Sequence, residues 1–180
     1  MTFYRAPWSR ILIVISSLLS IFCGGILVWS LIAGGPLVWL GVMILGMMLG
    51  CSLFMVLGYS VGPDALVVHR PLWRNRLALT GLKSAQPDPS AMRWSLRTFG
   101  NGGFYSFTGR YWNRTLGHYR ALVNDPARAV VLKWTDRTIV VSPDPPLEFA
   151  RQLQQLAQNP PGPRTSGAGP AVEQSVIDAS

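Results

Sequence analysis

ILIVISSLLSIFCGGILVWSLIAGGPLVWLGVMILGMMLGCSLFMVL, residues 11–57, holds no charged side chain, and the charge-free tract ends only at Arg10 on one side and Asp64 on the other. A helix rises about 1.5 Å per residue and the hydrocarbon layer of a bilayer is about 30 Å thick, so one crossing takes about 20 apolar residues. The tract is about twice that length and is broken once, at Gly34-Gly35-Pro36. It therefore reads as a transmembrane hairpin, with one helix over 11–32, a turn at 33–36 and a second helix over 37–58. Residues 1–10 lead into it, a globular unit follows over 59–157, and 158–180 form a tail.

Charges orient the hairpin. Arg5 and Arg10 precede it, Arg70, Arg74 and Arg76 follow it, and the turn carries none, so the positive-inside rule puts both termini in the cytoplasm and the turn outside. Trp29 and Trp39 flank the turn, and Tyr4, Trp8 and Tyr59 mark the opposite surface, as interfacial aromatics do. Ser16, Ser20 and Gly24 recur every four positions, and Gly46 and Gly50 form a GxxxG pair. Such small-residue stripes pack the two helices together or, as the alternative, join copies of the chain. Met43, Met47, Met48 and Met55 read as adaptable filling. No ionisable group enters either helix, which excludes a proton relay or ion pathway and hence a transporter.

Both cysteines, Cys23 and Cys51, fall in the apolar segments, so no secreted-type disulfide framework is available. Cys23 raises a lipoprotein reading, but Phe22 stands where a small residue is needed and the apolar run continues to Leu31. The tract is expected to insert uncleaved.

The chain has 16 basic and 8 acidic residues, a net of +8, and only Lys83 and Lys133 are lysines. Between Ser60 and Ala157 there are 13 basic against 6 acidic residues, a net of +7. A basic unit tethered at a bilayer suits anionic headgroups, where each Lys or Arg near the surface is worth about 1 kcal/mol. Nucleic acid attracts the same charge and is the less favoured partner.

After the tract the periodicity alternates and turn residues recur, which predicts mostly strands. Extended segments are expected at 65–70, 76–79, 92–99, 117–124, 129–134 and 137–142, with a break at Pro87 and Pro89 and a tight turn at Thr135-Asp136. Ser142-Pro143-Asp144-Pro145-Pro146 reads as a helix start. Leu147, Phe149, Ala150, Leu153 and Leu156 then give a helix with one apolar face. From Gln158 onward Pro, Gly, Ser and Ala dominate, a composition that predicts disorder.

The most distinctive block is Leu96-Arg97-Thr98-Phe99-Gly100-Asn101-Gly102-Gly103-Phe104, continuing through Gly109-Arg110-Tyr111-Trp112-Asn113-Arg114 to Leu116-Gly117-His118-Tyr119-Arg120. With the Ile139-Val140-Val141-Ser142-Pro143-Asp144 lead into the last helix, it resembles the bacterial pleckstrin-homology-like (PH-like) family with an N-terminal transmembrane hairpin. The resemblance implies a membrane-anchored, mainly β protein of the bacterial inner membrane. Its globular part would be a strongly bent β-barrel of about seven strands closed by a C-terminal helix. The strand and helix pattern by itself leaves a β-barrel or sandwich closed by a C-terminal helix, and no cofactor is expected.

Within the block, Gly100, Gly102 and Gly103 suit a sharp turn and close backbone approach, or an anion-binding nest. There is neither a Walker sequence nor a GxGxxG ahead of a helix. Arg97, Arg110, Arg114 and Arg120, with Asn101, are the candidate ligand or partner surface, because a guanidinium grips phosphate or carboxylate bidentately. The competing role is pairing with Asp125 and Asp136. Tyr111 and Trp112 fit the core better than the headgroups. The Asn113-Arg114-Thr115 sequon has no meaning in the cytoplasm. His69 and His118 lack partners at metal-ligand spacing, and Ser84, Ser90, Ser95 and Ser106 lack an activating base.

These residues point to a non-enzymatic, inner-membrane-anchored module that recruits or scaffolds a protein partner or senses anionic lipid. The alternatives are a structural subunit assembling through Gly46 and Gly50, and an enzyme built from distant strands around Asp125 or Asp144 with an arginine.

Overall fold

The structure, a computed structural model, describes residues 1–102 and 105–158. The tail beyond Gln158 and the turn glycine Gly103 lie outside the described residues, so the expectations placed on them are not addressed. The chain opens with a short strand, β1 (Thr2–Arg5), and then enters α1 (Arg10–Ala33) and α2 (Leu37–Leu53). Ser9 caps α1 by accepting from Leu12 N at 3.1 Å, which satisfies one of the orphan donors of the first turn. Gly34 ends the helix at φ +68°, its N–H bonded to Ser30 O at 3.2 Å, a conformation that only glycine adopts freely.

α1 is long and apolar enough to cross a membrane, and α2 is apolar but has 17 residues. The two helices approach closely at Gly41, where a Cβ would overlap the Ser30 hydroxyl and lie 3.0 Å from Leu27 Cδ1. At Gly24, Gly46 and Gly50 a Cβ would meet nothing within 4 Å. Ser16 is buried, but it is bonded to the β-domain through Tyr105.

Nine further strands follow among the described residues. They are β2 (Gly58–Val61), β3 (Ala65–His69), β4 (Arg74–Ala78), β5 (Leu82–Pro87), β6 (Leu96–Gly102), β7 (Phe107–Asn113), β8 (Gly117–Val123), β9 (Val130–Trp134) and β10 (Thr138–Val141). One sheet runs β1-β2-β3-β4 and the other β5-β9-β10-β8-β7-β6. All pairs are antiparallel except β8 with β10, which run parallel with Ala121 opposite Val140. The β9–β10 hairpin turns at Thr135-Asp136, where Trp134 N donates to Arg137 O at 2.8 Å, as the alternation predicts.

The two sheets face each other across Tyr59, Leu66, Val68, Leu122, Leu132 and Ile139. The last helix, α3 (Pro146–Gln158), seals one side of that core with Phe149, Ala150 and Leu153, and Gln154 Nε2 donates to Ala85 O on β5 at 2.9 Å. Of the two expected forms, barrel and sandwich, the structure shows two separate sheets of ten strands in all among the described residues rather than a closed barrel of about seven, with α3 packed on β5 as the C-terminal cover. A smaller core, with Tyr111, Tyr119, Ala121 and Val131, fills the outer face of the second sheet under residues 88–95. That segment turns where extension is expected at its start. Asp88 Oδ1 accepts from Ser90 N at 2.9 Å, Arg93 N reaches Ser90 O at 2.9 Å, and the strand begins only at Leu96.

Candidate functional site

The β-domain is built onto the helical hairpin without a spacer. β1 pairs with β2, Tyr4 opposite Tyr59, so the chain before α1 and the chain after α2 are neighbours in one sheet. Asn124, at the end of β8, holds both: its Nδ2 donates to Ala6 O at 3.2 Å and to Val56 O at 2.7 Å. Leu12, in the first turn of α1, is fully buried. Further along, Tyr105 N donates to Ser16 Oγ at 3.0 Å and the Tyr105 and Ser20 hydroxyls are 3.0 Å apart. The next residue, Ser106, donates to Phe54 O at the end of α2, at 3.2 Å. Adjacent residues therefore touch α1 at Ser16 and Ser20 and α2 at its end, so that about three turns of α1, from Arg10 to Ser20, lie beside the domain.

A cavity of about 750 Å³ opens between the end of α2, the β3–β4 connection and β6–β8. Its charged lining is arginine, from Arg70, Arg97, Arg110 and Arg120, with Asn75 and Thr108 as uncharged polar neighbours, and no Asp or Glu among the described residues lines it. Strand periodicity explains how the cations come to face it. Successive side chains alternate between faces; Arg120 is two residues before fully buried Leu122 and Arg110 is two residues after buried Thr108. Thr108 pairs with Leu122 and Arg110 with Arg120 in direct register. The same face that carries the core between the sheets thus carries opposed arginines at the end where the sheets splay. Like charges directly opposite are unfavourable on a sheet. A register shift between Arg97 and Phe99 bends β6 and brings both of these residues to the lining.

Arg70 is the buried member, 6% exposed. Its Nη1 donates to Phe54 O at 3.0 Å, and its guanidinium carbon lies 5.8 Å from the Phe54 ring centre and 5.7 Å from that of Trp73. A cation at the carbonyl end of α2 is favourably placed with respect to the helix dipole, and the two rings add cation–π attraction. Nε has no hydrogen-bond partner among the described residues. Burial, and then the Arg120 charge, lower the Arg70 pKa to about 10, so it stays protonated at neutral pH in a site where no carboxylate of the described residues balances it.

Of the residues singled out from sequence, Arg97, Arg110 and Arg120 meet at this cavity, whereas Arg114 lies in the turn after β7 and is not part of its wall. The Asn101 backbone pairs with Thr108; its side chain is outside the described residues. Gly100 lies within β6 opposite Gly109 rather than in the turn. There its φ is +113°, and a Cβ would strike the Thr108 carbonyl. Arg70, read only as an orientation charge, is the residue that sequence reasoning missed; the sole signal was a cation immediately after an apolar strand.

Asp125 and Asp144 converge elsewhere, on Arg128. Arg128 Nε lies 3.5 Å from Asp125 Oδ2, and its Nη1 contacts Asp144. Asp125 also caps the short helical turn that follows it, accepting from Ala127 N at 3.1 Å. Asn113 is buried, with Nδ2 on Ala91 O at 2.8 Å and Oδ1 accepting from Leu116 N at 2.7 Å, so the sequon asparagine is a structural bracket. His69 Nε2 lies 2.7 Å from Ser60 Oγ, and burial followed by the Arg74 charge lowers its pKa.

Compared with known proteins, residues 57–157, more than half of the chain, match a family model described as a bacterial PH domain. Comparison with curated proteins gave no match, and neither did comparison with solved structures.

Proposed function

This chain belongs to the bacterial PH domain family, and from that premise we infer a membrane-anchored, non-enzymatic binding module that senses anionic lipid at the cytoplasmic face of the inner membrane. The observation that carries the reading is the rigid seat of the domain on the hairpin. With Leu12 buried and Asn124 bonded to both Ala6 and Val56, the basic face is held at the level where α2 ends. The 17 residues of α2 span about 25 Å at 1.5 Å per residue, the short end of what a bilayer requires, which supports a position of the arginines at the headgroup layer in this reading. The pairing of β1 with β2 returns both ends of the hairpin to one side, in agreement with the arginine distribution.

The test is the melting temperature of the full chain in phosphatidylcholine nanodiscs containing increasing phosphatidylglycerol, up to about 30 mol %. Melting should rise with anionic lipid and fall back in high salt. A melting temperature indifferent to phosphatidylglycerol overturns the reading.

A second reading, recruitment of a protein partner, is favoured by one feature. β6 is the outer strand of the six-stranded sheet, Leu96 and Phe99 are exposed along it at 66% and 77%, and Trp94 in the turn before it is 92% exposed. An open edge of that kind accepts an added strand. A stoichiometric partner recovered from solubilised membranes and lost on Leu96→Lys substitution would support it.

A further inference from the structure

The arginine cavity has four properties that belong together only if it holds a particular ligand. Its cations stand on the core-facing side of the sheets, at positions where the alternation otherwise places Leu122 and Thr108. A sequence that breaks its own binary pattern does so at functional sites. No carboxylate of the described residues lines the cavity, and Arg70 is buried with its Nε unpartnered among those residues, although a buried donor ordinarily finds an acceptor. The opposite wall is apolar and comes from the membrane hairpin and the bulged strand, through Gly50, Phe54 and Phe99. A Cβ at Gly50 would meet nothing within 4 Å, which leaves a corridor along α2.

We propose that this cavity binds the headgroup of a phosphomonoester lipid. The arginine forks take the phosphate, and the Gly50–Phe54 wall takes the glycerol and first acyl carbons. The proposal rests on the reading that the domain sits at a lipid surface and names the ligand class for it. A dianionic monoester fits better than a diester because four guanidiniums face the cavity with no acid among the described residues to offset them, and each planar fork matches two phosphate oxygens. A volume of about 750 Å³ is in the range of small-molecule sites. Free phosphate shares the anionic chemistry but would leave the apolar wall and the corridor along α2 without a role.

The experiment uses the full chain, delipidated in neutral detergent, titrated with dioctanoyl phosphatidic acid, dioctanoyl phosphatidylcholine and inorganic phosphate. Phosphatidic acid should bind at least about tenfold more tightly than either of the other two. The double substitution Arg97→Ala with Arg110→Ala, on exposed side chains and hence without cost to folding, should weaken phosphatidic acid by at least about tenfold. Gly50→Leu should block the corridor and weaken the lipid while leaving inorganic phosphate unchanged. Equal affinity for phosphatidic acid and phosphatidylcholine overturns the proposal, and so does inorganic phosphate binding as tightly as the lipid. Arg114 supplies the contrast, because it lies outside the cavity. If Arg114→Ala costs as much as Arg110→Ala, attraction is diffuse; the cavity proposal falls and the lipid-surface reading stands. Phosphatidic acid binding at the cavity with no melting response to phosphatidylglycerol would support the site and remove the broader reading.

Discussion

Tyr59 and Asn124 carry the polar junction on which the two sheets and the hairpin converge. The Tyr59 hydroxyl donates to Leu122 O at 2.6 Å and accepts from Ser142 N at 3.0 Å, with no exposed surface. Burial, partly offset by the Ser142 hydrogen bonds, pushes its pKa up to about 12. Between pH 10 and about 12 the unfolded phenol releases its proton while the folded one keeps it, so the unfolded state binds fewer protons and stability falls as pH rises. Two units correspond to at most about 3 kcal/mol. Arg70 acts in the opposite sense over the same range, since its folded pKa is lowered to about 10; comparison with a Tyr59→Phe variant isolates the tyrosine. At neutral pH that variant should be about 1–3 kcal/mol less stable, because Ser142 N and Leu122 O lose their shared partner. Above pH 10 its melting temperature should decline less steeply than that of the wild type. Asn124→Ala should cost a similar amount by removing the bonds to Ala6 O and Val56 O. Hydrogen exchange should then accelerate at both hairpin junctions, around residues 6–12 and 54–58, and an increase at one junction alone would contradict the shared bracket.

Among the elements, the helical hairpin and the strand pairs that receive it respond to different substitutions. Gly41→Leu drives a side chain into Ser30 and Leu27, and overpacking of this kind typically costs about 1–3 kcal/mol; a lower melting temperature in detergent is the expected result. Gly46→Leu meets open space within one chain and should leave monomer stability unchanged. Light scattering in mild detergent then tests assembly through the GxxxG face: an oligomer that Gly46→Leu dissolves supports the structural-subunit alternative, and an unchanged monomer removes it. β1 shows how a short element escapes sequence reading. Thr2–Arg5 is four residues long, too short for alternation to register, and its pairing with Gly58–Val61 joins segments on opposite sides of the apolar tract. β5 was hidden for a different reason. Its polar Lys83, Ser84 and Gln86 mask the buried Leu82 and Ala85, and Pro87, read as a break, closes the strand.

For the molecule as a whole, the expectation is that both termini lie in the cytoplasm. A cytoplasm-only reporter fused after Ser180 should be active, and a periplasmic signal would reverse the orientation. The apolar tract, its single interruption and the arginines on its flanks were legible because bilayer thickness and charge burial act on composition alone, whatever the tertiary contacts. The final β-hairpin and the amphipathic last helix were legible too, since local periodicity and turn chemistry specify them. Family membership followed from the Leu96–Arg120 block. The seating of the domain on the hairpin was not legible, because it depends on pairings such as Tyr4 with Tyr59 and Tyr105 with Ser16, far apart in the chain. Nor was the cavity: sequence showed Arg97, Arg110 and Arg120 as basic residues near glycines, and only the strand register set Arg110 opposite Arg120 at the cavity wall. Arg70 became part of that site only when the β3–β4 connection folded under the end of α2, where Phe54 O and two aromatic rings hold it. Sequence determined the membrane-suited hairpin, the mainly β domain and its excess of positive charge, which are local or additive properties. Tertiary structure alone decided where that charge is concentrated, because a cavity exists only between elements and its sign is set by which side chains the register aims into it.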